Sequence, residues 1–421
     1  MINKKTGYIV LLLAFFAGNM LYTQTTYETI VYSNIVKSLR VEVVGELISE
    51  PFIELNSDKM LEVNFDVLNH TQGRYAYSII HCDADWKKSN LSPIEYLDGF
   101  QRMTIDDYAQ AIATMTQYTN FRLLLPNENI RFKVSGNYVI QVYEEDSPDK
   151  LLFSARFGVY EPLIGIDATV SSNTDIAFNR GFQQVGFQLN TPNFPITYPQ
   201  TELKIFVSQN NRIDNIATNL QPSIIANNRF TYEHIPNLIF EAGNEYRRIE
   251  FLTHRYNGMR IEQIQYFNPY YHAEVMTDQN RARLSYQYDQ DQNGRFFIRC
   301  LNCMDPDIES DYFIVHFAYA APMMVGGNLY LLGDFFQNRI DESSRMDYNR
   351  ETGQYEKAVL LKQGHYNYQY ISVMDGETKG HLSMTEGDFF QTENEYTIVV
   401  YYRPMGGRFD RMIGKTTIRI P

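Results

Sequence analysis

Leu61-Glu62-Val63-Asn64-Phe65-Asp66-Val67 alternates strictly, so that Leu61, Val63, Phe65 and Val67 share one face of an extended chain and the polar residues share the other. A period of two is the mark of a half-buried strand. Residues 29–44, 74–80, 120–125 and 138–143 carry the same strand-like patterning, and together they predict a small antiparallel sandwich. Asp146-Ser147-Pro148-Asp149 reads as its hairpin turn, with residues 151–160 returning from it. The only helical candidate is 105–115, where Tyr108, Ile112 and Met115 fall on one helical face.

The rest of the chain repeats this character. Its 32 Tyr and 27 Phe suit pleated, half-buried surfaces, and 421 residues are too many for one ordinary core. Glu161-Pro162 reads as a boundary. A second β unit takes in 185–189, 203–207, 229–232 and 247–253, and a hairpin of 281–288 with 295–300 is placed at its end. A third begins near Tyr312, runs through 328–335, 354–360 and 364–370, and closes with 396–402 and 416–420. The fold class expected is therefore all-β, a tandem of immunoglobulin-like or β-sandwich domains. The expected divisions are a signal peptide at 1–24, then domains at 25–160, 161–308 and 309–421. No short fixed repeat is visible, which excludes a solenoid.

The signal peptide is read from Lys4 and Lys5 followed by an apolar run that is too short to span a bilayer comfortably. No Cys follows that run, so no lipid anchor is expected. No later run is long enough for a membrane helix, and no train of ten-residue alternating strands marks a membrane barrel. The formal charge is −13, and loss of residues 1–24, which hold two Lys and no acid, takes it to −15. That balance argues against nucleic acid or anionic lipid as a partner.

The segment His81-Cys82-Asp83-Ala84-Asp85-Trp86 opens a long connection, 83–120, that holds the only Trp and interrupts the first sandwich. Long connections on rigid sheets tend to carry function. Trp86, with Tyr96 and Phe100, has two readings: recognition of a partner, or a plug for its own core. Asp289-Gln290-Asp291-Gln292-Asn293-Gly294 comes nearest to a calcium loop, yet lacks the bidentate Glu and equally suits a turn. With three Cys at least one is unpaired in the monomer; Cys300 and Cys303 read as a local disulfide or as two thiols in a turn. No nucleophile elbow, zinc-helix motif, phosphate loop or dinucleotide fingerprint occurs, so no enzyme activity, cofactor or metal is expected.

Cys82-Asp-Ala-Asp-Trp86, Glu95-Tyr-Leu-Asp-Gly-Phe100, Leu124-Leu-Pro-Asn127 and Ser135-Gly-Asn-Tyr138 together resemble the N-terminal domain of the type IX secretion system plug protein family. Ser208-Gln-Asn-Asn-Arg212 and Phe240-Glu-Ala-Gly-Asn-Glu-Tyr-Arg247 look like its middle segments, with Ala242 and Tyr246 as departures. The resemblance implies a non-catalytic periplasmic protein that binds and seals the periplasmic mouth of a large outer-membrane β-barrel translocon. Such a protein would be a monomer bound to the pore, without inserting in the membrane itself. The family-like motifs concentrate in the 83–120 connection. Asp85, Trp86, Lys87, Lys88, Tyr96, Phe100 and Asp106 are therefore the expected partner contacts, against the alternative that Asp85, Trp86 and Tyr96 only staple the connection to its own sheet.

The third unit also resembles early-set immunoglobulin-like domains of glycogen- and starch-acting proteins, through Leu331-Leu-Gly-Asp-Phe-Phe336 and Gly364-His-Tyr-Asn-Tyr-Gln-Tyr370. Glucan contact in such domains relies on exposed Trp, and this unit has none, so the resemblance implies the fold alone. The runner-up function, a carbohydrate-binding or glycan-associated exported protein, rests on this unit's richness in Tyr, and it requires that Tyr366, Tyr368 and Tyr370 line an exposed strip.

Overall fold

The computed structural model describes residues 26–46, 49–68 and 73–420. The expected signal segment lies outside them. The chain is all-β, as expected, and its described strands assemble into three sandwich units. Among the described residues no helix is long and apolar enough to cross a membrane.

In the first unit, Tyr75–Cys82, Gly136–Glu144 and Ser147–Tyr160 form the centre of one sheet. Val36–Val43, Leu61–Val67, Thr119–Leu125 and Tyr108–Gln110 form the other. The inward faces meet as the alternation requires: Leu61, Val63 and Phe65 are fully buried, and the Phe65 ring packs 5.3 Å from Phe121 and 4.8 Å from Phe153. The opposite face of this strand does not meet water. Asn64 and Asp66 are buried as well, because the third unit lies against them. The expected helix at 105–115 is absent. Tyr108–Gln110 pairs instead with Thr119–Leu125, and Ile112 and Met115 point to solvent, so the apolar spacing there had no core to face.

The second unit sets Gly165–Ser171, Phe182–Asn190, Arg229–Tyr232 and Ile224–Ala226 against Leu203–Gln209, Glu395–Tyr402 and Arg411–Arg419. Its core joins Val185, Phe187, Ile205 and Val207 to Tyr396, Ile398 and Val400. This corrects the expected division of the chain. The C-terminal strands close the second sandwich rather than the third, with Ile205 opposite Val400 and Val207 opposite Ile398. Likewise Arg247–Phe251 pairs with Gly364–Met374, not with the second unit. The third unit is therefore inserted between two halves of the second, and no boundary falls at residue 308. The reason is physical: an alternating strand has an apolar face that fits any open sheet, and sequence separation does not say which.

The third unit packs Arg247–Phe251, Gly364–Met374, Phe296–Ile298 and Gly327–Leu332 against a sheet of Ile261–Phe267, Tyr270–Val275, Tyr312–Ala320 and Gln354–Lys362. Residues 281–288, expected as a hairpin strand, form no strand. Phe240-Glu-Ala-Gly-Asn-Glu-Tyr-Arg247 is the crossing from the second unit to the third. Gly243 takes φ +63°, and a Cβ there would lie 2.7 Å from Leu382 Cδ1, so only glycine turns the chain without displacing that side chain.

Candidate functional site

The 83–120 connection leaves the first sandwich after Cys82 and is pinned at once to the second unit. The Asp83 carboxylate forms an ion pair with Arg403 at 2.6 Å and accepts from Asp410 N at 3.1 Å. Asp410, itself fully buried, accepts from Ala84 N at 3.0 Å and from Lys204 and Arg403. Asn137 ties the same turn to Tyr401, donating to Asp83 O at 3.0 Å and accepting from the phenol at 2.7 Å. A short helical turn, Pro93–Tyr96, follows with a Ser92/Glu95 capping box, and Arg408 of the second unit reaches Glu95 at 2.6 Å. Arg408 and Ser92 hold the Glu95 carboxyl down to about 2.

The far end of the connection is pinned to the third unit. Ile112 N donates to Ile308 O at 2.8 Å, Met115 N and Thr116 N donate to the Asp311 carboxylate at 2.8 and 3.0 Å, and Tyr118 OH donates to Ser310 O at 2.8 Å. Between these anchors the chain projects. Leu97–Gly99 pairs with Ile130–Phe132, and Gly99 sits where a Cβ would lie 1.9 Å from Asn129 O, so the approach of the two strands excludes any side chain. Phe100 then stands out at 68% exposure, with Asp106 and the whole of Tyr108–Gln110 also exposed.

The expected contact residues divide accordingly. Lys88, Phe100 and Asp106 are at the surface. Asp85 is exposed and pairs with Lys87 at 2.7 Å. Trp86 is half-buried, adopts φ +60° and lies under the Arg156 guanidinium at 4.5 Å. Tyr96 is corrected: it is buried, its hydroxyl donates to Ile79 O at 3.1 Å, and it packs the core of the first unit. Ile94, 78% exposed on the same projection, was missed. The Ser92-x-x-Glu95 capping box with Pro93 at the first helical position was its signal, since it fixes a turn and thereby turns one apolar residue outward.

The other candidate constellations are now located. The carboxylate of Asp291 accepts from Tyr246 N and from Asn293 N, while Asp289 pairs with Arg248, so the Asp289–Gly294 loop uses its carboxylates to fasten its own turn and to tie it to residues 246–248. Among the described residues no group of three or more His, Cys, Asp or Glu is arranged to hold a metal ion. Cys300 and Cys303 form a disulfide, and the free Cys82 thiol is pushed up to about 12 by burial. Tyr366, Tyr368 and Tyr370 are almost wholly buried, at 1%, 0% and 0% exposure, so the exposed strip that the carbohydrate-binding reading requires is core instead. The hydroxyls of Tyr368 and Tyr370 both donate to Asp278 at 2.8 Å.

His81 marks the joint between the first and second units. Its Nε2 donates to Ser135 O at 3.3 Å, which leaves Nδ1 to accept from Ser89 at 2.8 Å, and its ring packs edge-on against Phe409 at 5.4 Å. Burial pushes its pKa from 6.5 to about 4, against the smaller opposing pull of the Ser135 carbonyl and of Asp83 and Asp410. The folded value is below the unfolded one, so the unfolded chain takes up the proton first. The stability is complete above pH 6.5 and is lost as pH falls toward 4, by about 3 kcal/mol for this group. Measured as the difference in unfolding free energy between pH 7 and pH 4, a His81→Gln variant is expected to show a correspondingly smaller acid loss than the natural chain. Equal losses would place the acid sensitivity elsewhere.

Interlocked β-sandwiches that hold one elaborated connection between them define a multidomain all-β protein. The type 9 secretion system plug protein first domain matches residues 36–161, which span the first unit and its connection. A crystal structure of a hypothetical protein from Parabacteroides merdae is 58% identical to this chain, covers 94% of it and 100% of its own length, and superposes with a TM-score of 0.93. No curated protein matches. Residues 36–161 therefore carry the first domain of the type 9 secretion system plug protein family, which associates the chain with secretion at the cell envelope.

Proposed function

We propose that the chain is a periplasmic, non-catalytic plug that binds and seals the periplasmic end of the large outer-membrane β-barrel translocon of the type IX secretion system. The observation that carries this reading is the first-domain match over residues 36–161. The geometry of the connection supports it. A stopper must offer protruding side chains on a frame that does not lose binding energy to ordering, and here Phe100, Ile94 and Asp106 project from a segment fastened at both ends to other units. Phe100 serves as the apolar anchor of the contact, with Lys88 and Asp106 on its polar rim.

Affinity purification from native outer membranes tests the reading. The full chain is expected to recover a large β-barrel, and its deletion to make the outer membrane leak small dyes. A Phe100→Ser variant is expected to lower recovery of the barrel about tenfold or more while the melting temperature stays within about 2 °C, since it alters an exposed position. Lys88→Glu with Asp106→Lys is expected to weaken recovery in a salt-dependent way. Recovery of no barrel, together with unchanged dye leakage, would overturn the plug; wild-type recovery by all these variants would move the contact away from this connection.

A further inference from the structure

A cavity of about 240 Å³ lies where the three units meet. Trp86 and Arg156 of the first unit, Phe206 and Tyr401 of the second, and Asp334 and Asn338 of the third all line it. Its arginines are unequal. Arg40, Arg212 and Arg295 are each matched by a carboxylate, from Asp307 at 2.5 Å, Asp214 at 2.6 Å and Glu395 at 2.6 Å. Arg156 is not: its Nε donates to Tyr27 O at 2.7 Å, its guanidinium lies over Trp86, and among the described residues no carboxylate forms an ion pair with it. Asn338 Oδ1, Arg40 Nε and Glu50 Oε2, all on residues of this cavity, are buried without a hydrogen-bond partner, and Lys415 Nζ lies 3.3 Å from the Glu50 carboxylate and balances its charge.

A cation in low dielectric without an anion of its own is costly. Burial pushes the Arg156 pKa down to about 10, which leaves it charged at neutral pH, against the pull of Glu28, whose carboxylate is already paired with Arg339. The wall beside it is apolar. Ala84, Val399, Tyr401 and Met412 are buried as one cluster with Phe52 and Phe206 packed on it, and Phe206 meets Tyr401 edge-on at 5.6 Å. Ile213 and Ile216, 41% and 39% exposed, line the cavity where it reaches the surface. A fixed guanidinium fork beside an apolar wall is the arrangement that receives a carboxylate on an apolar body.

The geometry points to a binding site for a monocarboxylate with an apolar or aromatic body, its carboxylate on Arg156 and its body against Phe206, Val399 and Tyr401. The carboxylate comes from a free organic acid or from the C-terminus of a peptide, and the proposal is independent of which barrel the chain engages.

Isothermal titration of the full chain with 3-phenylpropionate, with a tripeptide ending in phenylalanine, and with the amide of each tests the site. At least one acid is expected to bind, its amide about tenfold more weakly or worse, because the amide loses the charge-assisted contact. Binding of the free acid alone identifies a metabolite site, and binding of the peptide acid alone a chain-terminus site. Arg156→Gln is expected to weaken binding about tenfold or more. Ile216→Trp, which fills the mouth from an exposed position and leaves the buried joint alone, is expected to do the same and decides the question should Arg156→Gln not fold. Failure of both acids to bind at 10 mM, amides binding as well as acids, or undiminished binding by a folded Ile216→Trp variant would overturn the site.

Discussion

Asp66→Asn is expected to destabilise the chain by about 3–5 kcal/mol, because it removes one partner of a buried ion pair and leaves the other charged. Lys362 Nζ lies 2.5 Å from Asp66 with side-chain exposures of 1% and 0%, across the joint of the first and third units. The lysine then retains Asp307 O at 2.6 Å, the face of Tyr118 at 4.1 Å and the longer-range pull of the Asp307 carboxylate, which is already paired with Arg40 and Arg122. Thermal unfolding should register the loss as a fall in midpoint of about 6 °C or more. Lys362→Met is expected to cost less, since Asp66 keeps Tyr312 OH at 2.6 Å and Asn120 Nδ2 at 2.8 Å. The double variant should recover most of the Asp66→Asn loss, as replacement of a whole buried pair is often close to neutral. Additive losses would mean that the pair is not coupled and that the joint is held elsewhere.

Arg247→Ala should cost about 3 kcal/mol and loosen the crossing between the second and third units. Arg247 is buried and serves two fully buried carboxylates at once, with Nη1 on Asp278 at 2.7 Å and Nε and Nη2 on Glu386 at 3.0 and 2.9 Å. Coulombic attraction from Glu386 and Asp278 outweighs burial and raises its pKa, while Arg247 and Arg281 hold Glu386 low. Without it Asp278 keeps Arg260, Tyr368 and Tyr370, and Glu386 keeps Arg281 at 2.7 Å, which limits the cost. Limited proteolysis should then cut within residues 375–394 faster than in the natural chain. Arg247→Lys should rescue little, because an ammonium cannot span both carboxylates with a planar fork. Full stability in the lysine variant would reduce the interaction to charge alone.

Both variants act on joints rather than on cores, and the joints make the three units one frame. The first unit is held to the second through Asp83, Arg403 and Asp410, and to the third through Asp66, Lys362 and Asp307. On the role proposed above, such a frame would meet its partner as a rigid body, with the projecting residues of the 83–120 connection already in place.

The sequence by itself determined the class of fold and most of the strands. Leu61 to Val67, Val185 to Leu189 and Tyr396 to Tyr402 announce themselves by alternation, because a pleated strand repeats every two residues wherever it lies. It also carried motifs at 82–138 that lie within the plug-family match, and these, like the motif at 240–247, have visible tasks. Asp83 reaches Arg403, Glu95 reaches Arg408 and Arg247 reaches Glu386, so the family-like stretches are mostly the fastenings between units. Only the tertiary structure decided which sheet each strand joins. The partner of Leu203–Gln209 is Glu395–Tyr402, nearly two hundred residues on, and a local period carries no information about so distant a neighbour. It alone decided, too, that Asn64, Asp66 and Lys362 are buried and that Tyr366, Tyr368 and Tyr370 are core, since polar and tyrosyl side chains can enter an interior wherever a partner completes their hydrogen bonds. A polar face reads as a wet face until another unit is seen to cover it.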